Sequence, residues 1–351
     1  MHTFPDQSRS AVNGTTVIFR GCWNMAPLVQ AFEKFGYTVL EDPSAERLGQ
    51  LAKGSVVACI TNAHIDIKRP LRALAIKKAI NRLGAPVIFW DRDGPSHMGD
   101  KAWRIWLLKH VSFMDAYATH TLQDAGKFAE EVLYLPNAAW VERYNLGEAT
   151  LEGLRDRSRY DYDVSFFGRI DPKRYPETKF RAEFVERLKP ALDALNLRYF
   201  FGDQDTPVAA QRELIQKSII NLSFFAGCDV RYQGGYNGQP FSWGLPERCY
   251  GIPACGGFLL SDERAHALDD FVDGEEWAWF ANLSDCIEKI KFHVANFDQT
   301  RQVAEAAYAR VMKQHCYTHR AEKILRFTLY WKSKQGFIGN PSLAALAETP
   351  L

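Results

Sequence analysis

The segment Gly244-Leu245-Pro246-Glu247-Arg248-Cys249-Tyr250-Gly251-Ile252-Pro253-Ala254-Cys255-Gly256-Gly257-Phe258-Leu259-Leu260-Ser261-Asp262-Glu263 joins a short helix to a buried strand. Pro246 suits a helix start, and the helix that follows carries Glu247 and Arg248. Gly256 and Gly257 allow close backbone approach, to a ligand or simply in a turn. Residues 257–260 read as a strand that delivers Asp262 at its carboxyl end. A continuous apolar strand after a helix belongs to a parallel sheet covered on both faces. Ligands in such sheets sit beyond the carboxyl ends of the strands.

Outward from this segment the same alternation continues. Upstream, residues 163–167 (DVSFF) form a strand that ends at Gly168. Helices are predicted near 178–192 and 208–216, with strands at 198–201, 219–224 and 277–280. Helices follow over 283–294, 299–314 and 318–331. In the first half, strands are predicted at 15–19, 37–40, 55–60, 86–90, 116–119 and 132–135, with helices at 25–35, 70–83 and 122–131. The stretch 142–162 is polar and weakly periodic, and reads as a connection. The expected architecture is therefore α/β, with two Rossmann-like domains facing across a cleft: residues 1–150 and residues 151–300. Residues 301–335 are expected to return to the first domain, because Tyr308, Leu325, Phe327, Tyr330 and Trp331 need an apolar partner surface.

At 351 residues the chain has room for about two domains. Hydrophobic residues at 46% and charged residues at 24% exclude collagen, long disorder and low-complexity scaffolds. No run approaches the ~20 apolar residues of a membrane span, and residues 1–13 lack the apolar core of a signal peptide. A cytoplasmic protein is expected, either free or peripheral to the inner face of a membrane. Seven widely spaced cysteines without a CxxC pair argue against a disulfide framework and a structural zinc site. Net charge is +1, yet it is unevenly spread. Residues 68–110 hold ten Lys/Arg against three Asp, and residues 301–335 eight against two Glu. These are solvated faces, or a basic surface for an anionic acceptor, membrane or nucleotide.

Several side chains carry chemistry. Gly168 and Arg169, followed by Lys173 and Arg174, place backbone N–H groups and cations after a strand, which suits a diphosphate or an ordinary charged exit loop. Tyr232, Tyr236, Asn237 and Gln239 lie in a Gly-rich loop, which is either a plain surface loop or a cover over a sugar or base. Asp91-Arg92-Asp93 and Asp203-Gln204-Asp205 match the bare Asp-x-Asp pattern, and His315 and His319 stand four apart. Neither pattern has the further ligands of a metal site, and no metal is expected.

The pattern from Arg248 to Asp262 resembles the C-terminal half of CgeB-type, spore-maturation-like glycosyltransferases of group 1. Four further pieces agree: Asp163 to Gly168; Phe271 to Phe280 with Asp273-Gly274-Glu275-Glu276; His315, Tyr317, His319 and Arg320; and, in the first half, Trp90-Asp91-Arg92-Asp93-Gly94-Pro95 with Tyr134-Leu135-Pro136-Asn137. The resemblance implies a GT-B fold and transfer of a sugar from a nucleotide-sugar donor, without metal or cofactor. The growing charge on the leaving diphosphate would be met by Arg169, Lys173, Arg174 and Arg248, with Gly168, Gly256 and Gly257 offering backbone and Glu247 and Asp262 nearby. That family usually carries a glutamate three residues after the arginine, expected on the donor ribose. Gly251 stands there in this chain, and Glu247 is the nearest carboxylate. On the acceptor side, Asp93 is the first choice as base or orienting group, Asp91 the second and His97 the third, since all follow a strand's carboxyl end. Asp91 and Asp93 serve equally as turn caps. The acceptor classes considered are a glycan, a lipid-linked glycan, a protein and modified DNA. An epimerase or hydrolase on the same plan, a non-catalytic nucleotide-sugar or glycan-binding protein, and a DNA-modifying transferase are the alternatives.

Overall fold

Short apolar runs separated by amphipathic segments fold into two parallel sheets. The computed structural model describes residues 14–21, 25–62, 65–66, 69–92, 106–107, 110–122, 125–127, 129–174, 178–202, 206–224 and 244–337. The chain divides into two units, 1–136 with 317–351, and 137–316.

The first unit holds β1 (Thr16–Arg20), β2 (Thr38–Glu41), β3 (Val56–Asn62), β4 (Val87–Asp91), β5 (Ala116–Thr119) and β6 (Val132–Tyr134). They form one sheet in the order β2-β1-β3-β4-β5-β6, parallel at every pairing. β1, β3, β4 and β5 are buried along their whole length, hence their mostly apolar sequences. Helices α1 (Ala26–Lys34), α2 (Ala45–Gly49) and α3 (Pro70–Arg82) accompany them. Ala73 and Ile80 of α3 enter a core with Ile18, Val56, Val87 and Phe89. Phe32 of α1 meets Phe19 and Tyr37 edge-on, both at 5.9 Å. Among the described residues of 122–131, where a helix is expected, Ala125–Lys127 form a 3-10 turn.

The second unit holds β7 (Tyr162–Phe167), β8 (Tyr199–Gly202), β9 (Ser218–Ser223), β10 (Leu259–Asp262) and β11 (Ala278–Phe280). Their order is β11-β10-β9-β7-β8, again parallel throughout. Around them lie α4 (Lys179–Ala194), α5 (Val208–Gln216), α6 (Arg248–Ala254), α7 (Ala267–Asp270), α8 (Leu283–Ala295) and α9 (Phe297–Gln314). Phe184 of α4 lies 4.8 Å from Phe224 and 5.5 Å from Phe280, inside a core that includes Val164, Ile220 and Leu260. The last helix, α10 (Tyr317–Lys334), belongs to the first unit.

Two boundaries differ from the sequence reading. The polar stretch 142–162 is part of the second unit, which begins at Asn137. Leu154 is fully buried there, Tyr160 packs on Phe297 at 5.3 Å, and Arg155 grips Glu305 through two bonds of 2.8 and 2.6 Å. A few buried anchors outweigh many exposed polar neighbours, which is why composition misplaced the boundary. The helices after residue 299 also part company. α9 stays with the second unit, where Val303 and Ala304 enter the core. α10 alone joins the first, packing on α1, with Tyr317 edge-on to Trp90 and Arg320 Nε donating to Pro136 O at 3.0 Å. His315 caps α9 while His319 lies in α10, so the two are not on one helix face. Among the described residues, no helix is long and apolar enough to cross a membrane.

Candidate functional site

The carboxyl end of β7 and the start of α6 meet around one arginine. β7 lies between β8 and β9: Ser165 pairs in register with Asn221 of β9, and its Oγ donates to Asn221 Oδ1 at 3.0 Å. After Phe167 the chain turns at Gly168, with φ +150° and its N–H donating to Gly202 O at 3.2 Å. The Arg248 guanidinium lies over the rings of Phe166 and Phe167, at 5.3 and 5.0 Å from their centroids. A Cβ on Gly168 would stand 2.7 Å from Arg248 Nη2. Only glycine leaves room for the guanidinium there.

Arg248 is half-buried, and its Nε is enclosed with no hydrogen-bond partner among the described residues. Burial pulls its pKa below the ordinary arginine value, but guanidinium stays charged under all ordinary conditions. Cation–π contact supplies part of the lost hydration. It supplies no acceptor, so the N–H groups remain available to an anion.

The neighbouring loop contributes cations of another kind. Arg169, Lys173 and Arg174 are exposed. Asp171 Oδ1 accepts from Lys173 N at 2.9 Å, which folds the loop back on itself. Arg181 of α4 pins this loop from below: its Nη1 donates to Arg169 O at 2.8 Å and its Nε to Phe224 O at 3.1 Å. The sequence reading passed over Arg181. Its signal is periodicity, because it shares the buried face of α4 with Phe184, Val185 and Leu188.

The structure separates residues that the sequence reading grouped. Arg248 opens α6, and Cys249 beside it reaches Ser223, the last residue of β9, at 3.8 Å. Gly256 and Gly257 follow the other end of α6, roughly 10 Å away for a seven-residue helix. They lie at the amino edge of the sheet, where a Cβ on Gly257 would stand 2.5 Å from Ile215 Cγ2. Gly256 has φ +74°, and its N–H closes on Pro253 O at 2.8 Å, a helix-ending turn. A Cβ on Gly256 would meet Leu154 Cδ1 at 2.7 Å, and buried Arg301 donates to its carbonyl at 2.9 Å. The glycine pair therefore serves packing and chain reversal, away from Arg248.

Asp262 is also committed elsewhere. It pairs with Arg264 at 2.8 Å in a nearly solvent-free setting. Arg264 Nη1 in turn donates to Gly244 O at 2.8 Å, so the pair steadies the loop that leads into α6. Glu247 is the N-cap residue of α6 and is half-buried. The position of the expected glutamate, Gly251, faces the ring of Tyr144, where a Cβ would lie 3.2 Å from Cγ. Tyr144 donates its hydroxyl to Gln211 Oε1 at 2.6 Å. Burial first, and Glu247 second, raise its pKa. No local pattern marks Tyr144, which comes from a segment some hundred residues upstream of α6.

In the first unit, Asp91 ends β4 fully buried and accepts a hydrogen bond from Tyr117 OH. That placement fits a strand-end anchor rather than an exposed base. Asp93, His97, Tyr232, Tyr236, Asn237 and Gln239 lie outside the described residues, as do Asp203 and Asp205.

A model of the family described as glycosyl transferase-like matches residues 148–326. Among solved structures, HepE of Anabaena, in complex with UDP-glucose, aligns at TM-score 0.54 and 12% identity, over 89% of this chain and 98% of that one. A glycosyltransferase from Rickettsia africae aligns at 0.52 and 12%, over 92% and 98%. Sucrose-phosphate synthase from Thermosynechococcus elongatus aligns at 0.56 and 13%, over 92% and 100%. No curated protein matches the chain. At these identities the structural likeness establishes the fold, two Rossmann-like parallel sheets of the GT-B type.

Proposed function

The chain belongs to the glycosyl transferase-like family, and from that premise we propose that it moves a sugar from a nucleotide-sugar donor to an acceptor without a metal ion, with Arg248 binding the donor's diphosphate. The observation that carries this reading is the arginine itself: half-buried at the carboxyl end of β7, set against Gly168, its Nε without an acceptor among the described residues. HepE, of the same fold, binds UDP-glucose.

The chemistry follows from charge. As the bond from sugar to diphosphate breaks, negative charge grows on the leaving diphosphate. Guanidinium presents a planar fork of donors that matches phosphate oxygens better than a lysine does. Its position over Phe166 and Phe167 keeps water away on one side and strengthens each contact. Arg169, Lys173 and Arg174 add exposed positive charge on the loop that follows Gly168. On the acceptor side Asp93 remains our choice for the base, with His97 behind it. Asp91 is better assigned to holding the end of β4 through Tyr117.

The test is titration of UDP, GDP, TDP and ADP, and of their sugars, into wild-type protein and Arg248→Ala. One nucleotide should bind clearly, and Arg248→Ala should weaken it about tenfold or more, given roughly 1.5–3 kcal/mol per charge-assisted bond. Binding of none, or unchanged affinity in a folded variant, would remove this site from the reaction. For the acceptor side, Asp93→Asn should abolish turnover while nucleotide binding persists; full turnover would place the base elsewhere.

A further inference from the structure

The basic stretch of the first unit forms a defined surface. α3 contains no acidic residue. Its inner face buries Ala73 and Ile80. Lys77 also turns inward, 3.3 Å from Asp115 and 2.6 Å from Ser112 Oγ. What remains outside is Leu71, Ala75, Lys78 and Arg82, spaced i, i+4, i+7 and i+11 along one stripe and all exposed, with Arg69 and Arg72 flanking it. Arg69, Arg72, Lys78 and Arg82 make no ion pair or side-chain hydrogen bond among the described residues. Charges with internal partners would be spent within the fold; these four are not.

Two apolar side chains share this surface. Leu71 is 82% exposed and Trp106 58% exposed. Trp106 stacks on His110 with ring centroids 4.7 Å apart, so its ring is held rather than loose. α3 lies on the same side of the sheet as Leu107 and Val111, and its Lys77 reaches Ser112 there. Leu74, Ile76, Leu107 and Val111 accordingly meet in one cluster. α2 packs on α3, and there Glu46 is followed directly by Arg47.

We propose that this face of the first unit docks onto an anionic phospholipid surface. Lys78 and Arg82 on the stripe, with Arg69 and Arg72 flanking it, match the charge of phosphate headgroups. An exposed leucine and a tryptophan beside them suit the boundary between headgroups and acyl chains, where an amphipathic ring keeps its polar edge wet. A nucleic-acid duplex would use the cations and leave Leu71 in water, so the lipid surface accounts for more of the observations. The proposal does not depend on the donor site, which belongs to the other unit.

The experiment is co-sedimentation of the full chain with phosphatidylcholine vesicles, with and without an equal part of phosphatidylglycerol. Partitioning should rise about tenfold or more with the anionic lipid and fall with added salt. The triple variant Arg72→Glu, Lys78→Glu and Arg82→Glu should lose that gain. Leu71→Ser with Trp106→Ser should lower partitioning severalfold at unchanged net charge. All five positions are exposed, so melting temperatures should stay near wild type, and each variant set serves if the other fails to fold. Equal sedimentation with both vesicle types, no sedimentation with either, or wild-type partitioning by the folded variants would overturn the proposal. So would retention on duplex DNA, lost in the charge variant, without vesicle binding.

Discussion

The Arg248 guanidinium occupies the space that a side chain on Gly168 would take, since a Cβ there would stand 2.7 Å from Nη2. Strand end and helix start are thus matched to each other across eighty residues. Gly168→Ala should push the guanidinium off its seat over Phe166 and Phe167 and also strain a backbone with φ +150°. Nucleoside diphosphate affinity should fall about tenfold, with a loss of only about 1–2 kcal/mol in stability. Calorimetric titration beside a melting curve separates the two; undiminished affinity would show that the contact does not serve binding.

Tyr144 and Gly251 form a second matched pair. A glutamate at 251 would have to displace a ring 3.2 Å from its Cβ. Gly251→Glu alone should destabilise the protein by about 1–3 kcal/mol. Combined with Tyr144→Ala, the cost should shrink, giving a coupling between the two positions that a denaturation cycle reads directly. Additive effects would mean the ring does not fill that space.

His293 should make stability depend on pH. It is buried, with Nδ1 3.0 Å from Thr300 Oγ1. Burial, with a smaller contribution from Lys289, lowers its pKa from 6.5 to about 4. Between those values the unfolded chain binds a proton that the folded chain refuses. The contribution is therefore complete above pH 6.5 and is lost as pH falls toward 4, reaching up to about 3 kcal/mol. Urea melts of wild type and His293→Gln over this range should show a shallower slope in the variant. Parallel curves would assign the acid sensitivity to other groups.

The buried thiols should be inert in the native state. Burial raises Cys59 and Cys255 to about 12 and Cys249 to about 11, and raises Cys286 as well. The thiolate is the reactive form. Iodoacetamide at pH 8, followed by peptide mapping, should modify these four only after denaturation. Rapid native labelling at any of them would contradict its burial.

Much of the fold is legible because strands buried on both faces have no choice of residue. Residues 55–60, 86–90, 163–167 and 257–260 announce themselves as apolar runs, and β3, β4, β7 and β10 lie on them. Helices such as α3 and α4 show through apolar periodicity, and with them the alternation that implies parallel sheets. The place of Arg248 on the short helix ahead of β10 was legible too. The basic character of α3 is likewise written in its composition, since no acid interrupts it.

Partnership is set by contacts between distant parts of the chain. Asp262 looks like a free carboxylate at a strand end until it is seen paired with Arg264, which also holds Gly244 O. Gly256 and Gly257 look like a ligand cradle until α6 is seen to carry them to the opposite edge of the sheet from Arg248. α9 and α10 are both amphipathic and equal in length, yet join different units. The physical reason is common to all three. Hydrophobic periodicity is a local property, set by which side of one element meets water. Ion pairing and close approach depend on side chains far apart in the chain, such as Tyr144 against Gly251 or Arg301 against Gly256. No local pattern encodes those distances.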